Sequence, residues 1–244
     1  MLMGLILLIL AAGVPYYLVL EKSTKLNSEK IFLISGFLLL CAIVTSSFVT
    51  SEYSSPLVIV SLLSAIFSIY KATKTTNFYK LGYYLIFVNA PFFMLFIREQ
   101  GALYSLSLLI TLTGVYSIAK HYDKHYESAN YHGISGTTLA TPYLGAFLTV
   151  YLITLALYPP FPNSLFLFSS MIKGEMTTLS YVAVVVLFLG NFLLAMRVMP
   201  KTVFGKPNTN LHYVDLTSKE KVMHFVIIII LLVLSITGFK GAIA

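Results

Sequence analysis

The stretch Val222–Phe239, VMHFVIIIILLVLSITGF, lies between Lys221 and Lys240 and holds no Asp, Glu, Lys or Arg. A helix rises about 1.5 Å per residue, so roughly 20 apolar residues cross a hydrocarbon core about 30 Å thick. Lipid offers no partner for a free N–H or C=O, so a stretch of this kind must be helical. Comparable runs occupy Leu2–Leu20, Ile31–Thr50, Pro56–Tyr70, Tyr79–Ile97, Gly101–Ala119, Thr137–Tyr158 with its continuation Asn163–Ile172, and Leu179–Val198. Together they predict an all-α fold, a polytopic transmembrane bundle of about eight helices in one integral membrane domain, residues 1–244. Composition points the same way, with 58% hydrophobic residues, 10% charged residues and a mean hydropathy of +0.87.

The connectors are short, and none approaches the size of a soluble domain. Met1–Leu20 has no basic n-region and no small-residue cleavage site before Glu21, so it is expected to be a retained first helix, bent at Pro15. The single Cys41 sits in an apolar run and excludes a disulfide framework and a cysteine metal site. The formal charge of +7 comes from Lys and Arg in the connectors. There they act as orientation signals and not as a nucleic-acid footprint. Lys22, Lys25, Lys30, Lys71, Lys74, Lys80, Lys120, Lys124, Arg197, Lys201, Lys206, Lys219 and Lys221 fall on one side if the broken sixth run crosses once. Glu52, Arg98 with Glu99, and Lys173 with Glu175 fall on the other. The bias predicts a multi-pass cell-membrane protein with both termini non-cytoplasmic.

Few residues offer chemistry. Pro159-Pro160-Phe161-Pro162-Asn163 interrupts an apolar run, and three prolines remove three N–H donors. Two readings fit: a discontinuous helix at Pro159–Asn163 beside an ion path, or a loop joining a span to a short interfacial helix. His121 and His125 could share a helical face and bind a metal, but no third ligand is fixed by spacing. The plainer reading is a solvated surface loop, Lys120–Gly136, that also holds His132. Arg197 is expected to snorkel to the headgroups. His224 lies about one turn inside the last span, where it can serve structure or relay a proton. Asn89-Ala90-Pro91 and Gly190-Asn191 read as packing points. Thr217-Ser218-Lys219-Glu220 fits a capping box at the start of the last helix. No nucleophile elbow, zinc-protease motif, phosphate loop or dinucleotide glycine pattern occurs, so no catalytic residue, metal site or cofactor is assigned.

The order of these features from Lys71 onwards resembles the later helices of the antiporter-like subunits of complex I, Mrp-type antiporters and membrane-bound hydrogenases. The resemblance rests on Thr75-Thr76-Asn77-Phe78-Tyr79-Lys80, on Gly133 through Thr141-Pro142-Tyr143-Leu144, and on Leu157-Tyr158-Pro159-Pro160-Phe161. Arg197 with Phe204-Gly205 and Asp215-Leu216 with Glu220 complete it. Residues 1–70 carry no such resemblance, and the chain is shorter than the family's usual subunit. The resemblance favours the discontinuous helix and implies redox-linked proton or sodium translocation by a multisubunit assembly. Other membrane subunits and lipids would be the partners, and nucleic acid would not.

The ion-path candidates under this reading are Lys80, Lys173, Glu175, Arg197 and His224. Leu167 and Phe168 stand where the family places a charged residue after the break, so the chain is expected to be degenerate in its ion path. A stand-alone small transporter using Asn163, Ser164, Ser169 and Ser170, or a purely scaffolding subunit, are the alternatives.

Overall fold

The computed structural model describes residues 2–48, 55–96, 99–173 and 176–243. Among them are eleven helices: α1 (Leu2–Leu10), α2 (Tyr17–Leu20), α3 (Ser28–Ser46), α4 (Ser55–Ala72), α5 (Phe78–Leu95), α6 (Glu99–Tyr126), α7 (Thr137–Ala140), α8 (Pro142–Leu155), α9 (Pro162–Lys173), α10 (Thr178–Thr202) and α11 (Ser218–Ile243). Six of these, α3, α4, α5, α6, α10 and α11, are long and apolar enough to cross a membrane. The protein is an all-α, polytopic membrane bundle. Outward faces agree: Phe37, Leu63, Leu189 and Val233 are each more than half exposed. Apolar surface of that extent is tolerated where lipid covers it.

The remaining apolar runs are broken helices. The first run ends α1 with Ala12 in the left-handed region at φ 60°, and Gly13 N–H donates to Leu8 O at 2.7 Å. That is a Schellman ending, which recovers carbonyls the helix can no longer pair. Pro15, with no N–H, then keeps the helix from resuming before α2. The expected bend is therefore a full break. The sixth run repeats the device. Leu157 takes φ 61°, and the Leu157 and Tyr158 amides donate to Thr154 O and Ile153 O. The discontinuity thus occupies residues 156–161, earlier than the expected Pro159–Asn163. Pro162 and Asn163 belong to the first turn of α9, where proline's missing donor costs nothing. Pro159 and Pro160 are exposed at the surface of the chain, while Pro162 and Asn163 are buried.

Two helices fill the centre. α5 packs against α3, α4, α6 and α10, and α6 packs against α5, α8, α9 and α11. Nearly every described side chain of α5 is buried. Contacts at the helix ends gather the basic connectors at one end of the bundle. Arg197 near the end of α10 reaches Ala72 O, the last carbonyl of α4, and Thr75 O just beyond it. Tyr83 and Tyr84 at the start of α5 donate to Glu21 after α2. Glu29 at the start of α3 meets Tyr116 and Lys120 near the end of α6. Asp215 before α11 accepts from the Tyr143 and Leu144 amides at the start of α8.

Glu52 and Arg98, expected at the other end, lie outside the described residues. With the basic end in the cytoplasm, a cysteine at Thr24, in a Cys41→Ser background, resists an impermeant thiol reagent in intact cells. A cysteine at Ser54, also outside the described residues, reacts. Equal labelling of both from outside would contradict the orientation.

Candidate functional site: a buried polar seam along α6

Helix α6 extends to Tyr126, so seven residues expected in a loop are helical. One face explains this. His121 and Tyr122 are buried against the bundle, and burial of that face outweighs the polarity of Lys120, Asp123 and Lys124 on the other. With the helix this long, Tyr104, Ser107, Thr111, Gly114, Ile118, His121 and His125 recur at three- and four-residue steps on one inward stripe. From Tyr104 to His121 the stripe runs about 26 Å at 1.5 Å per residue, close to the depth of the hydrocarbon core. Tyr104, Ser107 and Thr111 are fully buried, and His121 is 2% exposed.

Tyr104 and Ser107 find partners on other helices, while Thr111 bonds within α6. Tyr104 donates its phenol proton to Asn89 Oδ1 of α5. Asn89 and Asn191 of α10 exchange amide hydrogen bonds at 3.1 and 2.9 Å, and each also donates to the carbonyl four residues back. Interhelical bonds of this kind contribute about 0.6 kcal/mol each in lipid. Ser107 donates to Asn163 Oδ1 in the first turn of α9, and the Asn163 amide nitrogen has no hydrogen-bond partner among the described residues. Thr111 donates to Ser107 O. At Gly114 the ring of Tyr151 lies where a side chain would be, with ring atoms 2.3 to 2.6 Å from an ideal Cβ position. The Tyr151 hydroxyl meets His224 Nδ1 at 2.8 Å, and the His224 ring stacks on Phe147.

The seam ends at the basic end of the bundle. His121 Nε2 lies 2.9 Å from Val214 O, and His121 Nδ1 lies 3.6 Å from Glu220 Oε1. The His121 and His125 rings are 4.5 Å apart. Glu220 closes the expected capping box, accepting from the Thr217 amide at 2.8 Å and from its hydroxyl at 2.7 Å. Beside this cluster an open groove of about 600 Å³ runs between Glu29, Tyr79, Lys120, Lys124 and Met223.

The sequence candidates separate on this frame. His224 is fully buried and belongs to the seam. Lys80, half-buried in the first turn of α5, makes no side-chain hydrogen bond or ion pair among the described residues; its backbone N–H is bonded to the Asn77 cap. Lys173 is exposed at the far end of α9, and Glu175 lies outside the described residues. Arg197 does not snorkel outward. It turns inward onto Ala72 O at 2.9 Å and Thr75 O at 3.1 Å, since the last carbonyls of α4 need a donor.

The pair His121 and His125 lies on a helix and not in a solvated loop, while His132 is exposed beyond it. Among the described residues no group of three or more His, Cys, Asp or Glu side chains is placed to hold a metal ion. Leu167 is buried against the bundle and Phe168 points outward, so neither gives the seam a charge. Ser164, Ser169 and Ser170 are buried on α9, and Ser164 and Ser170 bond to backbone carbonyls of their own turn.

Tyr104, Ser107, Thr111 and Tyr151 are the seam residues that the apolar runs concealed. Their three- and four-residue recurrence along α6 was the available signal. No protein-family model matches the chain, and no curated protein matches it.

Proposed function

We propose that the chain is an antiporter-like membrane subunit of a multisubunit, redox-linked translocase in the cell membrane, where it supplies a half-path and packing surface. The observation that carries this reading is the buried polar seam of α6, laid against the broken helix α8–α9. Ionisable side chains buried at membrane depth, here His121 and His224, are costly and read as functional by default, while the hydroxyls and amides around them also hold the helices together. The order of motifs from Lys71 onwards supports the family.

The seam is graded. Titratable groups (Tyr151, His224, Glu220, His121 and His125) cluster toward the basic end, and beyond Tyr151 only hydroxyls and amides continue, apart from the Tyr104 phenol. Neutral groups can order water but hold no net charge, so an ion carried further must pass to a neighbouring subunit. This is the sense in which the path is degenerate.

Solubilising native membranes in a mild detergent and weighing the particle that holds this chain tests the proposal. Co-migration with other membrane subunits and a redox arm is expected. A lone monomer or homo-oligomer would favour a stand-alone transporter built on Asn163 and its neighbouring serines instead.

A further inference from the structure

We propose that the His121–Glu220 pair is a proton-binding site, and that the ion taken up at the basic end of the seam is H⁺. The argument starts from the hydrogen bond of His121 Nε2 to Val214 O at 2.9 Å. A carbonyl only accepts, so Nε2 carries the hydrogen, and a neutral imidazole then presents a bare lone pair at Nδ1. That nitrogen is buried and has no hydrogen-bond partner among the described residues. What faces it, at 3.6 Å, is Glu220 Oε1, a second acceptor. Two acceptors set against each other, one on a side chain 1% exposed, become a favourable pair when Nδ1 binds a proton. Glu220 is 26% exposed and borders the groove, so the pair has a route to water. In the uptake step a hydronium gives its proton to Nδ1 and leaves as water, and the imidazolium pairs with the Glu220 carboxylate at 3.6 Å.

The surroundings limit the site to one charge. From α6 itself His125, Lys120 and Lys124 add positive charge or compete for it, and Asp123 opposes them. From α11 come Glu220 and His224, from α3 Glu29, and from α5 the neutral phenol of Tyr79. His125, its ring tilted against His121 at 4.5 Å, disfavours a second imidazolium beside the first. The nitrogen-rich donor set also disfavours sodium, which prefers several oxygen ligands. For its role in transport this inference rests on the half-path reading above, but binding at the site requires no transport.

The test is ¹⁵N-histidine NMR of the full chain in lipid nanodiscs, with His121 assigned by its loss in His121→Gln. Wild type and Glu220→Gln are compared at one pH, and the shares of singly and doubly protonated His121 are read in each. Glu220→Gln keeps an acceptor for the capping box and removes the charge. In that variant the ratio of doubly to singly protonated His121 falls about tenfold. Sodium chloride exchanged for potassium chloride at constant pH leaves the signal in place.

A His121 signal identical in wild type and Glu220→Gln would overturn the proposal, as would displacement of the proton by sodium. Failure here with a heteromeric complex still isolated would remove the proton site and leave the subunit assignment standing. A titrating site in a chain that migrates alone would do the reverse.

Discussion

Gly114→Leu is expected to destabilise the chain by several kcal/mol and to disconnect the seam at its midpoint. Any Cβ at this position falls 2.3 to 2.6 Å from atoms of the Tyr151 ring, well inside contact distance. Tyr151 cannot yield outward, because it is fully buried and its hydroxyl is held by His224. Overpacking of this kind costs about 1–3 kcal/mol or more. Pushing Tyr151 aside also unpairs two buried polar groups, at about 1–3 kcal/mol each. Total stabilities of folded proteins are only about 5–15 kcal/mol, so the sum is a large share of what is available. Thr113→Leu is the control, one residue away on the exposed face of the same helix. Thermal unfolding of the purified protein in detergent should show Gly114→Leu far below wild type and Thr113→Leu close to it. Equal stability of the two variants would mean that Tyr151 is not wedged against α6.

Much of the architecture was legible because hydrocarbon imposes one solution on a long apolar run. The spans now seen as α3, α4, α5, α10 and α11 begin and end within a few residues of the apolar boundaries. The break in the sixth run was also legible from its prolines. Its position was not, because the helix ends on a left-handed Leu157, a conformation leucine rarely advertises. The same holds for Ala12 in the first run. Residues 120–126 read as a loop because charge outweighed apolar character along the sequence, whereas in space the helix buries His121 and exposes Asp123 and Lys124.

The seam was the least legible feature. A lone serine, threonine or tyrosine is unremarkable in a membrane helix. What gives Ser107 and Tyr104 meaning is a partner 56 residues later in Asn163 and one 15 residues earlier in Asn89. Arg197 belongs to the same class, because the carbonyls it reaches are set by the packing of α10 on α4 and not by local sequence.

The second large effect concerns the whole chain. α5 and α6 bind together helices from both ends of the sequence, and broad apolar faces on α3, α4, α10 and α11 remain exposed. On the proposal that the chain is one subunit of a larger complex, its removal takes away both packing surface and seam and is expected to prevent assembly. Single changes at peripheral Lys80, or at His224 within the seam, are expected to alter the proton gradient little at equal abundance. Lys80 makes no side-chain hydrogen bond or ion pair among the described residues, and His224→Ala unpairs the buried Tyr151 hydroxyl and lowers stability but leaves His121, His125 and Glu220 in place.

Proton-gradient formation in membrane vesicles, normalised to equal abundance of the complex, tests the central claim that this subunit holds a half-path and not a complete pump. With Lys80→Ala or His224→Ala the gradient should keep most of its wild-type extent, and with the chain deleted the complex should fail to accumulate. Abolition of the gradient by either substitution, with the complex intact, would contradict the account and make this chain a full ion path.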